Sequence, residues 1–315
     1  MSRHAWLPTE CAPRDYPAEL TYFGVFPEGE ARGLALPLRR TVANGWGAVG
    51  STLLTGDPDK PLPERVELSW LSLAEGVHYG GSFSLPRSRL ARLFAQGIDD
   101  PVEGRRGAWT KLAVGMAPGG DVVVWLTDGA FTRSVMGFQA APEPLDWAQE
   151  EPGVDLAGYC RDGWARALPE ARRAAVMGAK VPLGQWGRWR RRFGWTPSVF
   201  CPGTHRHLWI DSLNGEREIY AAPDWEDPWP DRAAPLALRA SWETAGGEVR
   251  IAHVTFDPQE SFEAFSRFAE ARPADLGRIA LEVEISDRFH DAAVTLRDSQ
   301  IALPLENCKV EVFRQ

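Results

Sequence analysis

Cys201, His205 and His207 form the tightest group of metal-ligating residue types in the sequence. Residues two apart on a strand point to the same face, so His205 and His207 would offer two imidazoles to one ion. A third ligand must come from elsewhere in the fold, and Asp211 is the nearest acidic residue. The alternative interpretation is a strand or turn with exposed histidines. We expect no bound metal and no cofactor, with these three residues as the candidate ligands.

The segment Gly45-Trp46-Gly47-Ala48-Val49-Gly50 has the spacing of a dinucleotide-binding loop. Such a loop binds a pyrophosphate where a helix begins at its last glycine. Here residues 51–54 run directly into Gly56-Asp57-Pro58, which does not continue as a helix. We therefore interpret residues 45–50 as a flexible loop or a close-packed bend.

Nucleophilic catalysis would need an activated Ser or Cys with a base within reach. The segment Gly80-Gly81-Ser82 lacks the second half of a nucleophile elbow and lies inside a predicted strand. His78 would share a face with Ser82, but too far along the strand for a direct hydrogen bond. The sequence predicts no catalytic residue, and we expect a protein that is not an enzyme.

The most unusual segment combines acids, tryptophans and prolines between residues 224 and 231. Tryptophan supplies apolar contact area, proline lowers the cost of ordering, and acids steer a basic partner. The alternative is that both indole rings fold back onto a sheet while the acids stay in water. The candidate partner-binding residues are Asp224, Trp225, Glu226, Asp227, Trp229 and Asp231.

The composition is that of an ordinary globular protein, with 315 residues, 44% hydrophobic and 25% charged. A net charge of -8 argues against nucleic-acid binding, which needs clustered Lys and Arg. Four scattered cysteines resemble neither a zinc site nor a disulfide framework, although one or two disulfides stay open. Most of the 14 tryptophans are expected in cores.

The N-terminal segment has no apolar run after its basic residues, which predicts no signal peptide. No stretch approaches the length of a membrane span. We expect a cytoplasmic protein as the sequence stands, and a periplasmic one if a leader was removed.

Apolar alternation and turn residues predict a series of short elements in the first half. A Pro118-Gly119-Gly120 turn between two apolar runs gives the clearest hairpin. The elements are strands at 66–73 and 77–85, a helix at 88–95, and a hairpin at 111–116 and 121–127.

The same order of elements returns 172 positions later. The matching residues are Trp70 and Trp242, Val77 and Val249, and Pro86 and Pro258. Three further elements then repeat the first copy. They are a helix at 259–271, a hairpin at 279–285 and 292–296, and a strand at 310–313 that takes the place of residues 135–138. We interpret the pattern as an internal duplication.

Helical pattern covers residues 156–177, with a break at Pro169, and residues 185–193. The predicted fold is α+β and β-rich, with two similar antiparallel-sheet modules that each carry a short helix. The first module spans 1–150, an Arg-rich helical connector spans 151–195, and the second module spans 196–315.

Four stretches together resemble a bacterial family known as the domain of unknown function 2931 family. They are Glu67-Leu68-Ser69-Trp70, the block from Val114 to Leu126, the segment from Trp186 to Phe193, and Asn214-Gly215-Glu216. The resemblance covers roughly residues 15–222, and its most specific element is the Pro-Gly-Gly hairpin that ends at Trp125. Many members look like lipoproteins, and this chain departs from them at its N-terminal segment. The resemblance implies no catalytic residue.

Proteins of that family are often suspected of belonging to secretion-system effector and immunity loci, which is an analogy. We therefore expect a non-enzymatic protein-binding protein, most concretely an immunity-type inhibitor of a secreted toxin with a basic face. The alternative is a small-ligand module, such as one for a saccharide, in which tryptophan rings stack on the ligand.

Overall fold

The fold is that of a computed structural model, which describes residues 3–53, 57–222, 231–270, 279–286 and 292–314. The chain forms two compact units. The first unit holds residues 1–98 and 108–188, and the second unit holds residues 99–107 and 189–315.

The strands of the first half are mostly short. They are β1 (His4–Ala5), β2 (Leu7–Cys11), β3 (Ala18–Pro27), β4 (Thr41–Val42), β5 (Asp59–Lys60), β6 (Pro63–Ser72), β7 (Val77–Ser84), β8 (Ile98–Asp100), β9 (Arg105–Gly107), β10 (Lys111–Met116), β11 (Asp121–Thr127), β12 (Thr132–Gln139) and β13 (Ala141–Pro142). Burial alternates along part of β6, whereas β2, β10 and β11 are buried along almost their whole length.

The first unit contains an antiparallel sheet in the order β13-β7-β6-β3-β4. Its other strands run in the order β2-β10-β11-β12, in which β2 and β10 are parallel. Strand β11 is buried along its whole length, which explains its continuous apolar run Val122-Val123-Val124-Trp125-Leu126.

The helices of the chain are α1 (Arg87–Gln96), α2 (Trp147–Glu150), α3 (Leu156–Ala167), α4 (Glu170–Gly178), α5 (Gln185–Arg188) and α6 (Pro258–Glu270). Helix α3 begins where the Asp155 carboxylate accepts a hydrogen bond from Gly158 N at 2.7 Å. Pro169 separates α3 from α4, as predicted. Side chains of α2, α3 and α4 pack on Leu71 and Leu73, so these helices cover part of the antiparallel sheet of the first unit.

The strands of the second half form two sheets. They are β14 (Phe193–Phe200), β15 (Thr204–Ser212), β16 (Arg217–Ala221), β17 (Asp231–Arg232), β18 (Pro235–Glu243), β19 (Val249–Thr255), β20 (Ile279–Ile285), β21 (Ala292–Arg297), β22 (Ala302–Pro304) and β23 (Lys309–Arg314). An antiparallel run has the order β16-β15-β18-β19-β23. The other sheet has the order β17-β14-β20-β21-β22, in which β14 and β20 are parallel.

The core of the second unit lies between its sheets and α6. Trp195, Trp242 and Phe265 are fully buried there. The Asp257 carboxylate accepts hydrogen bonds from Gln259 N and Glu260 N and so caps α6. Nine of the 12 described tryptophans are buried, which confirms that most of them serve the cores.

The β-rich α+β class is confirmed, together with the predicted hairpins at 111–127 and 279–296. Three details of the prediction are wrong. The modules were expected to have antiparallel sheets, but each unit contains one parallel strand pair, β2 with β10 and β14 with β20. The helix expected at 185–193 ends at Arg188, because Phe193 and Trp195 are buried in strand β14. Strand β23 pairs with β19, whereas β12 pairs with β11, so residues 310–313 do not take the place of 135–138.

The helices α3 and α4 belong to the first unit. The predicted division at residues 150 and 195 stays a prediction, because grouping by contact does not locate the limits of a repeated module. None of the four cysteines, all of which lie in the described ranges, forms a disulfide. Within the described ranges, no helix has the length and apolar character needed to cross a bilayer.

Candidate binding surface

The antiparallel sheet of the second unit has two faces of different character. One face is buried in the core through residues such as Leu208, Leu238 and Val254. The residues between them point the opposite way, and the strand register lines them up across neighbouring strands. We name nine of these residues the outer face: Ile219, Trp209, Arg239, His253 and Glu311 in one row, and His207, Ser241, Ile251 and Phe313 in the next.

Trp209 lies near the middle of the outer face and is half-buried. The guanidinium carbon of Arg239 lies 5.7 Å from its ring centroid, and the His207 ring lies at the same distance. The Asp211 carboxylate is 3.9 Å from Arg239 and 3.6 Å from Arg217. An aromatic ring between a cation and an imidazole, with a carboxylate holding the cation, is the chemistry of a contact anchor.

A β-bulge orients His207 on this surface. The register of β15 against β18 shifts between His205 and His207, and Ser241 Oγ accepts a hydrogen bond from His207 N at 3.1 Å. Burial lowers the pKa of His207, with a further lowering by Arg206 and an opposing effect of Asp100. The imidazole is therefore neutral at pH 7 and can both donate and accept.

Ion pairs border the outer face along β19 and β23. Lys309 Nζ lies 2.8 Å from Glu311, and Glu248 binds both Arg250 at 2.7 Å and Arg314 at 3.0 Å. A depression of about 510 Å³ opens between Arg206, Glu248 and Arg314. Phe313, which is 50% exposed, stands beside these charges. An exposed phenyl ring bordered by charged groups resembles the polar rim of a protein interface.

Local sequence pattern does not single out Trp209, Arg239 or Phe313. Residues 205–211 show no alternation of polar and apolar types, because Leu208, Trp209 and Ile210 are all apolar. Which strands flank that segment depends on pairing with distant residues, and local pattern does not reveal it.

Most of the predicted partner-binding loop lies outside the described residues, namely Asp224, Trp225, Glu226, Asp227 and Trp229. Asp231 is exposed at the start of β17, where its carbonyl accepts a hydrogen bond from Arg192 at 2.7 Å. The role of this loop stays a prediction.

The expectation that His205 and His207 share a face is wrong. The bulge places His205 opposite Trp242 and His207 opposite Ser241, two neighbours whose side chains point to opposite faces. Burial raises the pKa of the Cys201 thiol to about 12, which disfavours the thiolate that a metal requires. Across the described part of the chain, no three His, Cys, Asp or Glu side chains are placed to hold a metal ion.

The other sequence motifs also have local partners. Gly50 N donates to Thr9 at 2.9 Å and Ser51 N donates to the Glu10 carboxylate at 3.0 Å, so the glycine-rich segment lies against β2. The described residues that follow it do not form a helix. Ser82 Oγ donates to Glu67 at 3.4 Å, while His78 is hydrogen-bonded to Thr21.

A model of the family described as protein of unknown function (DUF2931) matches residues 1–184, more than half of the chain. The chain belongs to this family. The match confirms the resemblance, and it ends before the stretches at 186–193 and 214–216. No curated protein and no solved structure matches the chain.

The Pro-Gly-Gly turn of this DUF2931 protein is held by hydrogen bonds to the half-buried carboxylate of Glu75. Glu75 accepts hydrogen bonds from Gly119 N at 3.1 Å, Ser72 Oγ at 2.7 Å and Tyr79 Oη at 2.8 Å. Burial raises the pKa of Tyr79, and Glu75 adds to this, so the phenol stays a donor. Gly119 and Gly120 both have positive φ, which other residues rarely adopt. The Pro-Gly-Gly motif therefore has a structural role, which is to form this turn.

The segment after the matched region docks on the same hairpin. The Asp121 carboxylate accepts a hydrogen bond from Gly187 N at 2.9 Å, and a Cβ at Gly187 would lie 2.8 Å from Asp121. Trp186 is buried between Trp46 and Tyr16, with ring centroids 6.2 Å and 5.4 Å away. Trp186 and Gly187, which lie in one of the stretches that resemble the family, therefore have structural roles.

Proposed function

We propose that the chain is a non-enzymatic protein-binding protein that uses the outer face of its second unit. The observation that carries this proposal is Trp209, which lies between Arg239 and His207 on a regular sheet surface. Trp and Arg are the residue types most enriched among interface hot spots. The exposed ring of Phe313 adds apolar area to the same face.

A comparison of the two units supports the choice of this surface. In the first unit, α2, α3 and α4 pack on Leu71 of β6. At the position 172 residues later, the second unit has the exposed Glu243 in β18. A polar residue where the other unit buries an apolar one fits a surface that meets water or a partner.

We also propose that the two units arose by duplication. In each unit an early strand pairs in parallel with a strand that lies beyond the helix α1 or α6, as β2 does with β10 and β14 with β20. In each unit three antiparallel strands precede that helix, and a later strand, β13 or β23, pairs with the last of them. This order of connections supports the sequence repeat around Trp70 and Trp242.

The finer proposal is an immunity-type inhibitor of a secreted toxin. It rests on the family analogy and on the net charge of -8, which suits a basic partner. The alternative is a saccharide module, for which exposed, coplanar tryptophans over a groove would be the sign. Among the described tryptophans none is exposed, and this favours the protein-binding proposal.

The experiment is an affinity pull-down of the tagged protein from its own bacterium, at low and high salt. A single stoichiometric partner that is retained by the wild type and lost with Phe313→Ala and Trp209→Ala supports the proposal. Phe200→Ala is the matched control, because Phe200 is also an exposed strand phenylalanine of the second unit, at 51%, but belongs to the other sheet.

A Trp225→Ala and Trp229→Ala double variant separates the predicted loop from the outer face. Loss of the partner only in this variant, with normal retention by Phe313→Ala and Trp209→Ala, would reject the outer face as the site. A partner retained by every variant would reject both surfaces.

A further inference from the structure

A bulge in the first unit brings two hydroxyls and an imidazole together. The register of β3 against β6 shifts between Leu20 and Tyr22, so Thr21 is the extra residue of a β-bulge. Thr21 Oγ1 lies 3.0 Å from Ser69 Oγ and 2.9 Å from His78 Nε2. All three residues are half-buried. Bulges often re-aim a side chain at a functional site.

The protonation state of His78 suits it to accept a proton. Burial lowers its pKa, Glu143 and Glu150 oppose that effect, and Arg39 adds to it. The imidazole is therefore neutral at pH 7, and its Nε2 can accept a hydrogen bond from Thr21 while Nδ1 carries the proton. His78 Nδ1 is buried and has no hydrogen-bond partner.

A carboxylate stands close to this imidazole. Glu143 N donates to the carbonyl of His78 at 2.9 Å, and the Glu143 carboxylate lies over Gly80, where a Cβ would approach it to 2.0 Å. Gly80 is two residues from His78 and on the same face of β7. Hydroxyl and imidazole are two parts of an activated nucleophile. The Glu143 carboxylate acts on the imidazole through its charge and not through a hydrogen bond to Nδ1.

Backbone strain is found beside the same bulge. Arg39 has φ of +58°, the one positive value among described residues other than glycine. Its N–H donates to the carbonyl of Leu20 at 2.9 Å, next to Thr21. Its guanidinium lies 3.6 Å from Glu19 and 3.8 Å from Glu151 and also binds Glu150. Backbone strain of this kind concentrates at functional sites.

We propose that Thr21, with His78 as its base, is a reactive hydroxyl that accepts an acyl group from small activated esters. In the step, the Thr21 hydroxyl proton passes to His78 Nε2 as Thr21 Oγ1 bonds to the carbonyl carbon. The ester C–O bond breaks, the alcohol leaves as its anion, and the proton returns from His78 to solvent. Ser69 donates a hydrogen bond to Thr21 and positions it. This site lies in the first unit and is independent of the proposed binding surface.

To test this proposal, the full chain is treated with p-nitrophenyl acetate. Nitrophenolate release and the intact mass of the protein are measured, and the labelled peptide is identified. We expect one acetyl group on the peptide that contains Thr21. Thr21→Val, which keeps the shape of the side chain, should abolish that label. His78→Gln should slow labelling about 100-fold, as expected when a general base is removed. Ser69→Ala should label Thr21 more slowly but at the same place.

The pH profile gives a second readout, since the wild-type rate should rise as His78 loses its proton and then level off. Label on His78 or on lysines alone, or an equal rate in Thr21→Val, would overturn the proposal. Far-UV circular dichroism and melting temperature establish that each variant is folded, and Thr132→Val, in strand β12 of the same unit, serves as a threonine control.

Discussion

Arg232 donates a hydrogen bond from Nε to Glu218 Oε2 at 2.8 Å, and both side chains are more than nine-tenths buried. Arg232 also donates to Tyr220 Oη at 2.6 Å and to the Trp195 carbonyl at 3.0 Å. Burial raises the pKa of Tyr220 to about 12, and Glu218 contributes. This network ties β17, β16 and β14 together in the second unit.

Removal of one partner should therefore be costly. Arg232→Ala is expected to lower the free energy of unfolding by about 3–5 kcal/mol, because it leaves the Glu218 carboxylate buried and unpaired. Urea unfolding measures this loss. Arg297→Ala, which breaks an exposed pair with Glu282, is the control and should cost less than about 1 kcal/mol. Equal losses in the two variants would refute the interpretation.

The Pro-Gly-Gly turn offers a test of steric fit. A Cβ at Gly120 would lie 2.6 Å from the carbonyl oxygen of Ala140 and would also force a side chain into positive φ. Gly120→Ala should lose more than about 2 kcal/mol of stability. Gly153→Ala is the matched control, since Gly153 has φ of +80° with nothing within 4 Å, and it should lose only about 1 kcal/mol. Similar melting temperatures for the two variants would show that the contact with Ala140 is relieved at no cost.

The helices that cover the first unit's sheet should be sensitive to Leu71. This side chain is 1% exposed and packs with Trp164 and Cys160. Leu71→Ala is expected to cost about 2–5 kcal/mol through the cavity that it leaves. Leu38→Ala changes a side chain that is 44% exposed and should cost little. Comparable effects of both changes in chemical denaturation would argue against this packing.

The lowered pKa of His78 predicts that the protein loses stability in acid. Its folded-state pKa lies below the ordinary 6.5, so between those two values the unfolded chain binds more protons. Its contribution is complete above 6.5 and declines as pH falls through that window. His78→Gln should flatten the fall in unfolding free energy from about pH 8 to about pH 5. Part of the fall should remain in this variant, because the pKa of His207 is lowered as well. An unchanged acid slope in the variant would exclude His78 as a source.

Sequence pattern predicted features that depend on neighbouring residues. The hairpin around Pro118-Gly119-Gly120 was predictable because its two apolar runs and its turn are contiguous in the sequence. The bulge at His205 and His207 was not, since Ser241, which stabilises it, is 34 residues away. The outer face was missed for the same reason, because its rows join five strands whose order is set by long-range pairing.

The parallel strand pairs also determine the order in which parts of each unit can fold. Leu7 of β2 pairs with Lys111 of β10, and Trp195 of β14 pairs with Ile279 of β20, so each pair closes a loop of 104 or 84 residues. Loops of this length make folding slow, because closure entropy is lost before the contacts repay it. During synthesis, each early strand must wait for its partner to leave the ribosome, β2 for β10 and β14 for β20. Its exposed edge is then open to the wrong neighbour, and this is the interval in which a chaperone would matter most.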